Sequence, residues 1–268
     1  MSEPFVLYEK NNRIATVTIN RPDSRNAVAE LSDCAELVEA IERADGDREI
    51  SVLILTGAGP AFSAGGNLKN MRDRVGIGAQ KTPDDTRANY RRGVQRIPLA
   101  LMRAEVTTIA AMNGHAIGLG LDIAAYCDLR VAADTAKFAS SFVKLGIVPG
   151  DGGAWILPKV VGYANAAELI LTGDTIDATR ALAMGLVNQV VAADQVMAAA
   201  NALAERVCAN PPRALRLAKR LLREAQHSRL PDVLELSAAF QALSHETADH
   251  GEALAAFFEK RPPVFTGA

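Results

Sequence analysis

Asn113-Gly114-His115-Ala116-Ile117-Gly118-Leu119-Gly120-Leu121-Asp122 is the stretch on which the reading of this chain turns. It follows residues 106–112, an apolar run that predicts a buried strand closed by the Asn-Gly turn. A short helix is expected behind it, over residues 121–126. A glycine-rich loop opening into a helix gathers unpaired N–H donors and the positive end of the helix dipole. The spacing is not the GxGxxG of a dinucleotide site, and no acidic residue follows a second strand at the expected place. Taken alone, Asp122 also suits a helix cap or an ion pair.

Two similar segments flank it. Upstream, the apolar run 52–55 predicts a buried strand that feeds Ala61-Phe62-Ser63-Ala64-Gly65-Gly66-Asn67-Leu68. Gly65 and Gly66 let the backbone approach a ligand closely, and successive N–H groups in such a turn can face an oxyanion. Downstream, Gly146-Ile147-Val148-Pro149-Gly150-Asp151-Gly152-Gly153 surrounds one aspartate with conformationally permissive residues. Asp151 also suits an N-cap on a helix beginning near Ala154.

Further strands are expected at 14–19 and 129–132. Helices are expected on the stripe Val28, Leu31, Ala35, Val38, Ile41 and on the stripe Tyr90, Val94, Ile97, Leu101. Residues 71–86 read as a loop or frayed helix, and 138–142 are ambiguous. From Ala164 onward the pattern is mostly helical, broken at Asn210-Pro211-Pro212 and at Pro231. Alternating strands and helices followed by helices alone predict an α/β core over 1–195 and a helical region over 196–268.

Composition excludes several classes. The 268 residues carry a net charge of −2, so no global field points to nucleic acid or an anionic membrane. No apolar stretch reaches the roughly 20 residues of a membrane span. Cys34, Cys127 and Cys208 are odd in number and widely spaced, which fits neither a disulfide framework nor a zinc site. With no basic segment and apolar run at the N-terminus, a cytoplasmic protein is expected. No metal is expected.

Six segments, in order along the chain, resemble the crotonase (enoyl-CoA hydratase/isomerase) superfamily. They are 61–68, 113–122 with Cys127-Asp128, 145–153, Leu171-Thr172-Gly173, Ala183-Met184-Gly185-Leu186-Val187, and Ala256-Phe257-Phe258-Glu259-Lys260-Arg261. The resemblance implies a crotonase-like spiral of β-β-α units with a C-terminal helical trimerisation region. It implies an acyl-CoA thioester substrate, with coenzyme A entering as part of the substrate and no separate cofactor, and a homotrimer or a dimer of trimers. It places the amides of Gly66 and Leu119 as an oxyanion hole for a thioester enolate, Leu119 standing where many members have glycine. It places Arg25, Ala64, Asn67 and Leu68 near coenzyme A, and Phe257 and Lys260 near the coenzyme A of a neighbouring subunit.

The acid/base positions depart from the hydratase pattern. Hydratases of the family use two glutamates. Asp122 falls at the first position and Phe142, which cannot titrate and would line the acyl pocket, at the second. Asp151 lies one position past the aspartate that some isomerases of the family carry, where Gly150 stands here. Asp122 and Asp151 are therefore the acid/base candidates. The expected activity is enoyl-CoA isomerisation or an atypical hydration; the alternatives are an acyl-CoA hydrolase or lyase, or a silent subunit that binds a CoA thioester. His115, early in the second loop, is expected to pack rather than titrate.

Overall fold

A computed structural model describes residues 3–268. β1 (Val6–Asn11) and β2 (Ile14–Ile19) form a hairpin. α1 (Leu31–Gly46) follows, then β3 (Val52–Gly57), β4 (Ala61–Ser63), α2 (Leu68–Asp73), α3 (Pro83–Arg92) and α4 (Arg96–Arg103). The middle of the chain supplies β5 (Thr107–Met112), β6 (His115–Ile117), α5 (Leu119–Tyr126), β7 (Leu129–Ala133), β8 (Lys137–Ala139) and a 3-10 turn (Ser141–Leu145). α6 (Gly153–Thr172), β9 (Ile176–Asp177), α7 (Ala178–Ala183) and β10 (Gln189–Val191) lead to α8 (Val196–Cys208), α9 (Pro212–Glu224), α10 (Leu230–His245) and α11 (Ala248–Glu259).

The strands form two sheets, ordered β1-β2-β3-β5-β7-β10 and β4-β6-β8-β9. β3, β5 and β7 are parallel neighbours in the first, and each is followed directly by its partner in the second. The chain therefore steps sideways by one strand-pair per turn, the spiral of β-β-α units expected above. β4 pairs with β6 and β6 with β8, all parallel. This puts the residues just beyond β4, β6 and β8 (Gly65-Gly66, Gly118-Leu119 and Ser140 to Phe142) side by side at one end of the small sheet.

β3 is buried along its whole length, as its unbroken Val-Leu-Ile-Leu run requires. α1, with Leu37, Val38 and Ile41 buried, packs on β1, β2 and α4, and α8, with Val196, Ala200 and Ala204 buried, packs over β3, β5 and β7.

Where the structure differs from the sequence expectation, the causes are local. The helix expected over Tyr90 to Leu101 is two helices, because Pro98 lacks the N–H that a continuous helix would need and its ring would meet the Val94 carbonyl. Val28 sits outside α1, in a bridge to Gly66. Residues 71–86 hold the end of α2 and the start of α3, each capped by a side chain, Asn67 and Thr82. β1 escaped notice because it is mostly exposed and lacks apolar alternation, and β9 and β10 because they are two and three residues long.

Arg130 ties the spiral together from inside. It is 7% exposed, and its Nε and Nη1 donate to the carbonyls of Leu186 (2.6 Å) and Cys127 (2.5 Å). Arg130→Met leaves these acceptors buried and unpaired, so a loss of at least about 3 kcal/mol is expected in urea unfolding.

Candidate active site

The first two loops meet at Gly65, which has φ +83°. A Cβ there would lie 3.2 Å from the Leu119 nitrogen and 2.5 Å from the Ile117 oxygen, so only glycine allows the approach. Ser63 holds this loop: its hydroxyl donates to Asn26 O (2.8 Å) and accepts from Gly65 N (3.1 Å). Asn26 is fully buried and ties the turn to Ala58 and Ala61 through its amide. Neither residue stood out in the sequence, although the RPDSRNA turn that contains Asn26 has positive φ at both Arg25 and Asn26.

Gly66 N bonds to no described residue: the bridge to Val28 uses Gly65 O and Asn67 N instead. Leu119 N opens α5, where the first amides have no partner inside the helix, and it too is free among the described residues. Asp122 is one turn further along α5, on the same face as Leu119.

Asp122 and Asp151 come together. Their exposures are 1% and 4%, and Asp122 packs on the first turn of α6, where a Cβ at Gly153 would lie 2.6 Å from the Asp122 Cγ. No N–H or O–H of the described residues reaches either oxygen of Asp122 or Oδ1 of Asp151. The two buried carboxyls are near enough for the charge of one to disfavour ionisation of the other. Burial, and then the Asp151 charge, hold the Asp122 carboxyl well above the usual carboxylate range. Burial also raises Asp151, despite hydrogen bonds that favour its charged form. The α6 dipole favours negative charge here, but burial outweighs it.

Tyr126 braces the turn from below, its hydroxyl donating to Gly152 O (3.0 Å) and its ring stacked on Trp155 at 6.2 Å. Phe142 lies across the middle loop, 3.5 Å from where a Gly118 Cβ would be, and is half-buried. The sequence therefore placed Gly66, Leu119, Asp122, Phe142 and Asp151 in what the structure makes one locality. It did not find Tyr90, Gln95, Tyr126 or Trp155 around it.

The remaining candidates are more dispersed. Arg25 is exposed, with its carbonyl accepting from Ala64 N (2.9 Å), so these two are neighbours. The Asn67 side chain caps α2, accepting from Lys69 N and Asn70 N, and Leu68 is exposed beside it. Phe257 and Lys260 are exposed at the end of α11, and neither lines the cavities that border the Asp151 turn. His115 is exposed, with Nδ1 accepting from Lys137 N (3.1 Å); it is neither packed nor in the site. Among the described residues no cluster of side chains could hold a metal ion, and no helix is long and apolar enough to cross a membrane.

Residues 9–268 match the model of the enoyl-CoA hydratase/isomerase family. A probable enoyl-CoA hydratase of Mycobacterium tuberculosis is 37% identical over 266 residues, covering 99% of each chain. A 1,2-epoxyphenylacetyl-CoA isomerase of Escherichia coli is 34% identical and covers 98% of each. The crystal structure of an enoyl-CoA hydratase from Bacillus anthracis superposes with a TM-score of 0.91 at 30% identity, covering 98% of this chain and all of that one. The chain belongs to the enoyl-CoA hydratase/isomerase family of the crotonase superfamily.

Proposed function

We propose that the protein transfers a proton beside the carbonyl of an enoyl-CoA thioester and so moves its double bond, rather than adding water to it. The observation that carries this is the burial of Asp122 against the turn that carries Asp151, with Phe142 on a neighbouring loop beside Gly118. A carboxylate of the pair removes a proton from the acyl carbon. The C–H electrons pass to the thioester oxygen as a dienolate, and the carboxyl returns the proton at the other end of the conjugated system. The free amides of Gly66 and Leu119 are the donors for the developing oxyanion. A carboxyl held protonated near its partner is suited to give a proton back at neutral pH.

Hydration also requires a group that holds and deprotonates water, and Phe142 supplies none. For coenzyme A, the supporting feature is the cluster of Arg25, Ala64, Asn67 and Leu68 on linked turns. Phe257, Phe258 and Leu254 are exposed apolar residues on α11 and support a homotrimer, or a dimer of trimers, in which this helix meets a neighbour. The three free cysteines agree with a reducing, cytoplasmic setting.

Incubation with crotonyl-CoA and a 3-enoyl-CoA in deuterated water, followed by mass spectrometry and proton NMR, tests the reaction. Double-bond migration with deuterium uptake is the expected result. Accumulation of 3-hydroxyacyl-CoA would refute it, and inertness of both esters would leave a silent binding subunit as the better reading.

A further inference from the structure

Two cavities border the segment that carries Asp151, one at Ile147 and one at Pro149 to Gly152. One, of about 400 Å³, is lined by Leu68, Met71, Tyr90, Leu145 and Ile147 and so adjoins the Gly66 loop. The other, of about 510 Å³, is lined by Pro98, Leu99, Met102, Tyr126, Trp155 and Asp151, and is mainly apolar. Asp151 is among the residues that line the second cavity, so this cavity reaches the turn that carries a reacting group.

Between the two stands one contact. The Tyr90 ring lies against Gly150, where a Cβ would be 2.7 Å from Cε1 and 3.1 Å from Cδ1. Gln95 fixes both sides of it: its backbone N–H donates to Tyr90 O (3.1 Å) and its side-chain amide donates to Gly150 O (2.8 Å). Tyr90 thus reaches the Asp151 turn from a helix end that Pro98 forces to stop, and a glycine at 150 leaves it room.

We propose that Tyr90, seated on Gly150, is the residue that sets acyl-chain length, acting as a partition between an entrance chamber beside Leu68 and an apolar chamber under Trp155 that takes the distal part of acyl groups longer than crotonyl. This rests on the reading of the ligand as an acyl-CoA, but not on which reaction follows. A linear hydrocarbon tail matches the Pro98, Leu99 and Met102 wall, where the side-chain amide of Gln95 is already engaged with Gly150 O.

Calorimetric titration of the full chain with butyryl-CoA and octanoyl-CoA tests this without turnover. The native protein should bind octanoyl-CoA more tightly. Tyr90→Ala, which opens the partition, should widen the ratio of the two Kd values roughly tenfold, and Leu99→Trp, which fills the far chamber, should narrow it roughly tenfold. Tyr90→Phe keeps the ring and should keep the native ratio. A ratio unmoved in both Tyr90→Ala and Leu99→Trp overturns the proposal, as does a Tyr90→Phe shift equal to that of Tyr90→Ala. If Tyr90→Ala does not fold, Leu99→Trp decides alone, since Leu99 is 52% exposed and its replacement leaves the core intact. Binding of neither ester would overturn the acyl-CoA reading itself, whereas binding with an unmoved ratio removes only the partition.

Discussion

Asp122→Asn is expected to slow deuterium exchange on an enoyl-CoA by roughly 10²–10⁴-fold, the usual contribution of a positioned acid/base group. The same substitution is expected to raise the melting temperature at neutral pH. Both effects come from one fact: Asp122 is buried with no donor to its oxygens. An amide keeps the shape and takes up no proton on folding to be buried uncharged, which removes a penalty of about 1–3 kcal/mol.

The pH dependence of that gain fixes its origin. The folded protein holds the Asp122 proton more tightly than the unfolded chain does, where the ordinary value is 3.8. Folding therefore takes up a proton between 3.8 and the raised value, and stability falls as pH rises through that window. Below the window both states are protonated and the penalty vanishes. The stabilisation by Asp122→Asn should accordingly be large at neutral pH and small in acid. Scanning calorimetry across pH checks it, and a gain of equal size at all pH values would refute the protonation argument. Asp151→Asn should act in the same direction on both exchange and stability.

The second large effect is a gain. Phe142→Glu is expected to raise hydration of crotonyl-CoA by roughly 10²-fold or more, because it supplies the carboxylate that a water nucleophile needs. Phe142 is half-buried against Gly118, one loop away from Asp122, and so stands within the same locality. A third carboxyl close to the Asp122–Asp151 pair also makes full ionisation harder, which should displace the pH profile of the new activity upward. Formation of 3-hydroxybutyryl-CoA, followed by the loss of absorbance of the conjugated thioester, is the measurement. A native enzyme that already hydrates crotonyl-CoA as fast as the variant would remove the role given to Phe142.

Much of this site could be read before the fold was known, and the reason is where the information lies. Gly65-Gly66, Gly118 and Gly150 to Gly153 are local signals, since each marks a turn whose backbone no bulkier residue would follow. Phe142 stood out only through the resemblance, which puts a glutamate of the hydratases at that position. The alternation of strands and helices pointed only to an α/β core, and the spiral was implied by the resemblance to the crotonase superfamily. The partners of Asp151 were not legible. Tyr90 and Gln95 precede it by more than fifty residues, and their meeting with Gly150 depends on the break at Pro98 and on the seating of α4 against α5. Asn26 was hidden for a related reason. Its value lies in satisfying carbonyls at Ala58 and Ala61, and a buried amide of that kind looks in sequence like any turn asparagine.

Each turn of the β-β-α spiral ends in its own loop at the same edge of the small sheet, and the loops bring different chemistry. The first two contribute free amides, which depend on main chain alone and tolerate Leu119 in place of glycine. The third contributes a side chain, here Phe142, which depends entirely on residue identity. On the proposed reaction, mutational drift in this architecture is unequal: substitutions at the third tip would redirect the outcome while the amides that would polarise the carbonyl stay in place. A lineage built on such a scaffold would then exchange one reaction for another by single replacements, without an intermediate that has lost its grip on the thioester.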